Sequence, residues 1–233
     1  MVARVNTQLA LKEAQEELER LNDRTDALLR NILPQSVADR LKNEERDIVD
    51  HFTDATVLFC DLVGFTPLAT RLGPEDLVGL LNRIFRVMDD LAERHGLEKI
   101  KTIGDAYMVC GGVPDARSDH AQAVAGFALD VLEAVPPLWG SEELDLRIGM
   151  HSGPVVAGVI GERKFAYDLW GDTVNTASRL ESRGVPGRIQ LSRETADRLG
   201  EGWLIEDRGK VELKGRGEME TCLLVGRTPT SSI

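Results

Sequence analysis

The sequence predicts an α+β fold: a ferredoxin-like, split βαβ domain with a mainly antiparallel sheet, preceded by a helical coiled coil. Three observations carry that expectation. Short β-branched runs alternate with amphipathic stripes in the order strand, helix, two strands, helix, strands, which is a split βαβ plan. Two of the runs, 97–103 and 106–110, are separated only by Gly104-Asp105, as in a hairpin. The first thirty-odd residues repeat apolar positions every seven instead.

The elements follow in order. Residues 5–33 read as one long helix, with Leu11, Leu18, Thr25 and Ile32 at one heptad position and Ala14, Leu21 and Leu28 at the complementary one. The stripe is narrow and its surroundings are charged, which fits a parallel coiled coil better than a single amphipathic helix packed on its own domain. Thr25 in the seam makes it a marginal one. Pro34 ends the segment, 35–43 forms a short second helix and 44–53 a charged connector, so the partition is 1–43 helical and 54–226 globular. The globular part opens with a strand at 55–60. A helix follows over 74–95, with Pro74 at its first turn, Leu77, Leu80, Leu81, Ile84, Phe85, Met88 and Leu91 on one face and Gly96 after its end. After the hairpin come a helix at 119–135 and strands at 144–151 and 155–160, split by Ser152-Gly153-Pro154. A short helix at 172–181, a strand at 189–191, a helix at 192–199 and strands near 203–206 and 221–225 complete the domain. Residues 227–233 read as a frayed tail.

Composition narrows the function classes. With 42% hydrophobic and 29% charged residues among 233, the chain is an ordinary globular sequence. No apolar run approaches the roughly 20 residues of a membrane span, and the polar N-terminus has no secretory h-region. Cys60, Cys110 and Cys222 are isolated, which argues against a disulfide framework or zinc site and for a reducing, cytoplasmic compartment. A net charge of −11 argues against a nonspecific nucleic-acid binder. A chain that opens in a coiled coil is expected to be a fragment of a longer, receptor-like protein, and can be the cytosolic part of a membrane-anchored one.

Asp61 and Asp105 each end an apolar, β-branched run. A carboxylate at the exit of a buried strand is costly unless it is paired or holds a metal. Two on neighbouring strands would form a hard-cation site of the kind Mg²⁺ uses with phosphates; the plain alternative is a pair of strand-end caps.

Five motifs occur in order: Phe59-Cys60-Asp61-Leu62-Val63-Gly64-Phe65-Thr66, Lys99-Ile100-Lys101-Thr102-Ile103-Gly104-Asp105, Arg147-Ile148-Gly149-Met150-His151-Ser152-Gly153, Asp168-Leu169-Trp170-Gly171-Asp172-Thr173-Val174-Asn175-Thr176-Ala177-Ser178-Arg179, and Glu212-Leu213-Lys214-Gly215-Arg216-Gly217. Together they resemble the catalytic domain of class III nucleotidyl cyclases, most closely the bacterial adenylyl cyclases related to the mammalian membrane enzymes. The helix ending Asn31-Ile32-Leu33-Pro34 resembles the signalling helix that precedes such domains.

The resemblance implies conversion of ATP to 3′,5′-cyclic AMP and pyrophosphate. It makes Asp61 and Asp105, with the Leu62 carbonyl, the ligands of two Mg²⁺ or Mn²⁺ ions, and the amides around Phe65 and Thr66 a phosphate cradle. Lys101 and Asp168 become the base-reading pair: lysine donates to adenine N1 and aspartate accepts from N6, a pattern guanine reverses. Guanylyl cyclases typically carry Glu and Cys there. Asn175 holds the ribose, Arg179 the transition-state phosphate and Lys214 the terminal phosphates. The metal pair and the base-reading set come from opposite chains, so a head-to-tail homodimer with two equivalent sites is implied. Many relatives have a basic residue where this chain has Pro154, so fewer phosphate contacts are expected on that side. His151 reads as a packed strand histidine, not a base. A catalytically silent nucleotide-binding or dimerisation module, a guanylyl cyclase and a polymerase-like palm are the competing readings.

Overall fold

The sheet is built outward from one long strand, Val49–Val63 (β1). The computed structural model describes residues 2–30, 32–45, 47–140, 142–161 and 164–229. In it β1 pairs antiparallel with Ala106–Gly111 (β3) on one side and with Asp145–Ile160 (β4) on the other, and Glu98–Ile103 (β2) adds antiparallel to β3. The resulting order β2-β3-β1-β4 is the split βαβ arrangement expected from the sequence. Beyond β4 the sheet continues through Arg188–Ser192 (β6), Gly217–Arg227 (β8) and Trp203–Leu213 (β7), with Ala166–Trp170 (β5) also pairing β4. The β4–β6 pair is parallel; β6–β8 and β7–β8 are antiparallel.

Period-two alternation sorts β1 into two faces. Leu58, Cys60 and Leu62 join Tyr107, Val109, Ile148 and Met150 in the main core, under the helices Pro74–Arg94 (α4) and His120–Ala134 (α5). α4 brings Leu80, Ile84, Met88 and Leu91; α5 brings Val124, Phe127 and Val131. Each such fully buried side chain stabilises the fold by about 1.5–3 kcal/mol. Asp61 belongs to the opposite set. There the helix Asp172–Ser182 (α6) lies directly on β4: a Cβ on Gly149 would stand 2.0 Å from the Glu181 amide nitrogen, so only glycine allows the contact.

Four expectations are corrected. The connector at 44–53 is partly strand, because Val49–Phe52 pair with Val155–Gly158. The two strands predicted at 144–151 and 155–160 are one; Ser152-Gly153-Pro154 does not turn. Pro154 has no N–H to donate, and the ladder absorbs it as a register break in β1 between Phe52 and Ala55. The strand β5 and the helix Phe65–Arg71 (α3) were not anticipated as elements. Finally, one apolar stretch does reach span length: His120–Trp139, 20 residues. Its α5 part is core helix, with Ala121, Val124, Phe127 and Val131 all buried.

By contact the chain divides into two units. The larger holds Val49–Gly158 and everything from Asp168 onward. The smaller holds residues 1–48 and 159–167, with the helices Val2–Arg30 (α1) and Gln35–Lys42 (α2). Within the smaller unit Lys42 pairs with Asp26 at 2.6 Å, and Leu33, Val37, Ala38 and Ile48 are buried. The seam residues Leu11, Leu18, Leu21, Leu28 and Ile32 are 52–68% exposed. Thr25 turns its hydroxyl back to the Leu21 carbonyl at 2.9 Å. Asn31 of the Asn31-Ile32-Leu33-Pro34 motif and residues 230–233 of the expected tail lie outside the described residues.

Candidate active site

Asp61 and Asp105 meet at one end of the sheet. Cys60 is paired with Tyr107, so Asp61 stands one step further along, beside Ala106, and Asp105 occupies the turn that precedes it. That turn is a two-residue hairpin loop closed by Ile103 and Ala106, and Gly104 takes the left-handed φ of +64° that it requires. Leu62 follows Asp61, buried and paired with Leu146. The Asp105 carboxyl is pushed above its usual range by burial and by the charge of Asp61; its own backbone amide and Arg147 oppose the shift. Two carboxylates at one end of the sheet concentrate negative charge that a divalent cation would relieve. Among the described residues no group of three or more His, Cys, Asp or Glu encloses such an ion. A cation held by these two carboxylates would complete its shell with phosphate oxygens and water.

Arg147 sits opposite Asp61 in the β1–β4 ladder. Its Nη2 lies 2.9 Å from Asp61 Oδ2 and its Nε 2.6 Å from Glu181 Oε1 at the end of α6. Burial works against the guanidinium charge, but the bonds to Glu181 and then Asp61 outweigh it, and Arg147 is held more firmly protonated than usual. Neither Arg147 nor Glu181 was singled out from the sequence, although Arg147 opens the third motif. Only the cross-strand register reveals its partner.

Lys101 and Asp168 are brought together across 67 positions of sequence: Nζ lies 2.5 Å from Asp168 Oδ2. A register shift in β2 between Lys99 and Lys101 re-aims the lysine, and β5 carries the aspartate. Asp168 Oδ1 accepts from the Leu169 amide at 2.8 Å, which fixes the carboxylate plane. The aspartate side chain is 16% exposed and the lysine 39%, so the pair faces outward on a firm base.

Asn175 and Arg179 lie four apart on α6 and share a face. A Cβ on Gly215 would lie 3.8 Å from Arg179 Nη2, so the β7–β8 turn that carries Lys214 abuts the same face. Arg216 of that turn is bonded to Asp172 and to Thr176 Oγ1 on α6, which ties turn and helix together. Asn175 and Lys214 are exposed. Phe65 and Thr66 open α3, immediately after Gly64. At φ +88° and with a virtual Cβ 2.6 Å from the Glu143 carbonyl, position 64 admits only glycine. The Phe65 ring packs on the core, leaving the backbone as its contribution there.

His151 is buried, with Nδ1 2.7 Å from Ser192 Oγ, and burial pushes its pKa down to about 4. It is a neutral packed histidine. Cys60, Cys110 and Cys222 are buried free thiols whose ionisation burial suppresses.

Comparison with known proteins agrees with this fold. Residues 48–226 match the family described as the adenylate and guanylate cyclase catalytic domain. An adenylate cyclase of Mycobacterium tuberculosis is 48% identical over 92% of this chain and 49% of its own length. Retinal guanylyl cyclase 1 of Bos taurus is 44% identical over 95% of this chain and 21% of its own. The chain thus spans about half, or a fifth, of the curated relatives it matches. The crystal structure of the guanylate cyclase domain of RhGC from Catenaria anguillulae, in complex with GTP, superposes with a TM-score of 0.74 at 37% identity, covering 77% of this chain and 100% of that one. Class III cyclases use divalent metal ions in catalysis, and Asp61 and Asp105 offer the hard oxygen donors that such ions take. With the family model spanning most of the sequence and a solved cyclase domain superposing on its fold, this chain belongs to the adenylate and guanylate cyclase catalytic domain family.

Proposed function

We propose that the chain is the catalytic part of an adenylyl cyclase, converting ATP to 3′,5′-cyclic AMP and pyrophosphate at the interface of a homodimer. The carrying observation is the Lys101–Asp168 pair. Its relatives include adenylate and guanylyl cyclases at similar identity, so overall likeness does not choose the base. A lysine donor beside a carboxylate acceptor supports adenine. Lys101 has three protons and can keep Asp168 while donating to adenine N1; Asp168 Oδ2 has a second lone pair for N6–H. Guanine would set its N1–H against the ammonium and its O6 against the carboxylate, a mismatch that costs more than a missing bond.

Asp61 and Asp105, with the Leu62 carbonyl, are the residues to hold two Mg²⁺ or Mn²⁺ ions, which when bound supply charge neutralisation at the attacking 3′-oxygen and at the leaving pyrophosphate. The remaining work falls to the chain itself. Asn175 orients the ribose so that its 3′-hydroxyl faces the α-phosphorus. Arg179 offers a planar fork to the charge that grows on the phosphate, and Lys214 holds the terminal phosphates with the amides at Phe65 and Thr66. Pro154 adds no charge.

In the dimer each chain lends its carboxylates to one site and its base-reading set, Asn175 and Arg179 to the other. The exposed leucine seam of α1 supports association of two copies. The buried free cysteines fit a reducing, cytoplasmic setting. Purified protein given ATP or GTP with Mg²⁺ or Mn²⁺ is expected to release cyclic AMP and pyrophosphate from ATP. Chromatography showing ADP, cyclic GMP as the main product, or no turnover with either metal overturns the reading.

A further inference from the structure

We propose that Arg147 is a positioning residue: it fixes the Asp61 carboxylate for the metal and ties it, through Glu181, to the helix that carries Asn175 and Arg179. The inference rests on the cyclase reading for what Asp61 does. Its geometry stands apart from that reading.

The link is continuous and anchored at both ends. Asp61 ends the buried run of β1, and its cross-strand partner is Arg147 on β4. The guanidinium donates from Nη2 to Asp61 Oδ2 and from Nε to Glu181 Oε1, at 2.9 and 2.6 Å. Glu181, with a side chain 9% exposed, also accepts from Ser182 Oγ at 3.2 Å. Its backbone is pressed on β4 at Gly149, where a Cβ would be 2.0 Å from its nitrogen. Gly184 leaves the space in which the Arg147 stem lies: a Cβ there would be 2.9 Å from Arg147 Cγ. Glycines on the strand and after the helix therefore seat an arginine whose two donors address one carboxylate at the metal end and one on α6. A planar, preorganised fork can hold two partners at fixed angles; an ammonium on a flexible stem cannot. In the proposed dimer Asp61 serves one active site and α6 the other, so this link joins the two sites through a single chain.

The test separates orientation from charge and from folding. Arg147→Lys keeps the charge and loses the fork. Arg147→Met with Glu181→Met removes one cation and one anion, so the local net charge is unchanged while Asp61 loses the fork that holds it. Three quantities are read: thermal midpoint, the free Mn²⁺ concentration at half-saturation by electron paramagnetic resonance with 3′-deoxy-ATP, which lacks the attacking hydroxyl, and kcat and KM for ATP. The expected result for Arg147→Lys is Mn²⁺ half-saturation raised about fivefold or more, kcat lowered about tenfold and KM for ATP within twofold. The double variant is expected to fold and to show the same loosened Mn²⁺ binding. Wild-type Mn²⁺ binding in either folded variant overturns the proposal. So does a loss of kcat in step with the thermal midpoint and no change in Mn²⁺ dependence, which marks a merely structural ion pair. If the unaltered protein makes no cyclic nucleotide, the cyclase reading fails while the Mn²⁺ titration still decides on Arg147.

Discussion

Replacing Lys101 by Glu and Asp168 by Cys together is the sharpest test of base selection. In the native pair Nζ and Oδ2 are 2.5 Å apart, with the aspartate largely buried and the lysine about two-fifths exposed. Each side chain is assigned one hydrogen bond to adenine with a charged partner, worth about 1.5–3 kcal/mol. The lysine's share is discounted for its exposure, so roughly 3 kcal/mol of differential binding rests on the pair. At about 1.4 kcal/mol per factor of ten, ATP turnover measured as kcat/KM should fall about a hundredfold. Lys101→Glu alone sets two carboxylates side by side and should be worse for ATP than the double change, in which Asp168→Cys removes the repulsion. The assay is product chromatography over a range of ATP and GTP at fixed Mn²⁺, with the ATP-to-GTP ratio of kcat/KM as the readout. A double variant that keeps ATP kcat/KM within threefold of the native value refutes the assignment of base reading to this pair.

Asp61→Ala and Asn175→Ala should each leave less than about a thousandth of native activity as homodimers, since metal-held charge and substrate orientation are each worth several kcal/mol. Mixed in equal amounts they should recover about a quarter, because half the dimers are mixed and each has one intact site of two; no rescue at any ratio places the site within one chain. Removing residues 1–33 should weaken self-association and lower activity at low protein concentration; an unchanged dimer constant in sedimentation counts against the α1 seam. His151 titrates near 4 when folded and near its ordinary value when unfolded, so the unfolded chain binds the extra proton as pH falls. Stability should therefore drop between about pH 6.5 and 4, by up to roughly 3 kcal/mol, and His151→Asn should flatten that slope in urea titrations.

Local pattern along the chain gave the ferredoxin-like plan and most of its elements, and the resemblance to class III cyclases supplied the expected site residues. Lys101, Asp168, Asn175, Arg179 and the two strand-end aspartates stand in motifs of a few residues, and such motifs survive reading one position at a time. The core helices were legible for the same reason: the α4 stripe from Leu77 to Leu91 repeats at the period of a helix. Strand limits were harder. Residues 44–53 look like a solvated linker until Val49–Phe52 find partners in β4, and Pro154 looks like a turn until a break in β1 absorbs it. Pairing partners of that kind lie a hundred residues apart, and nothing in the local chain names them. The same holds for β5, a strand of five residues whose pairing partner in the sheet is β4. Only packing settled that Lys101 and Asp168 touch, that the turn carrying Lys214 abuts Arg179, and that Asp61 is held by Arg147 against Glu181. Those relations come from sheet register and from glycines that let a helix lie against a strand, and both are set by contact between distant segments.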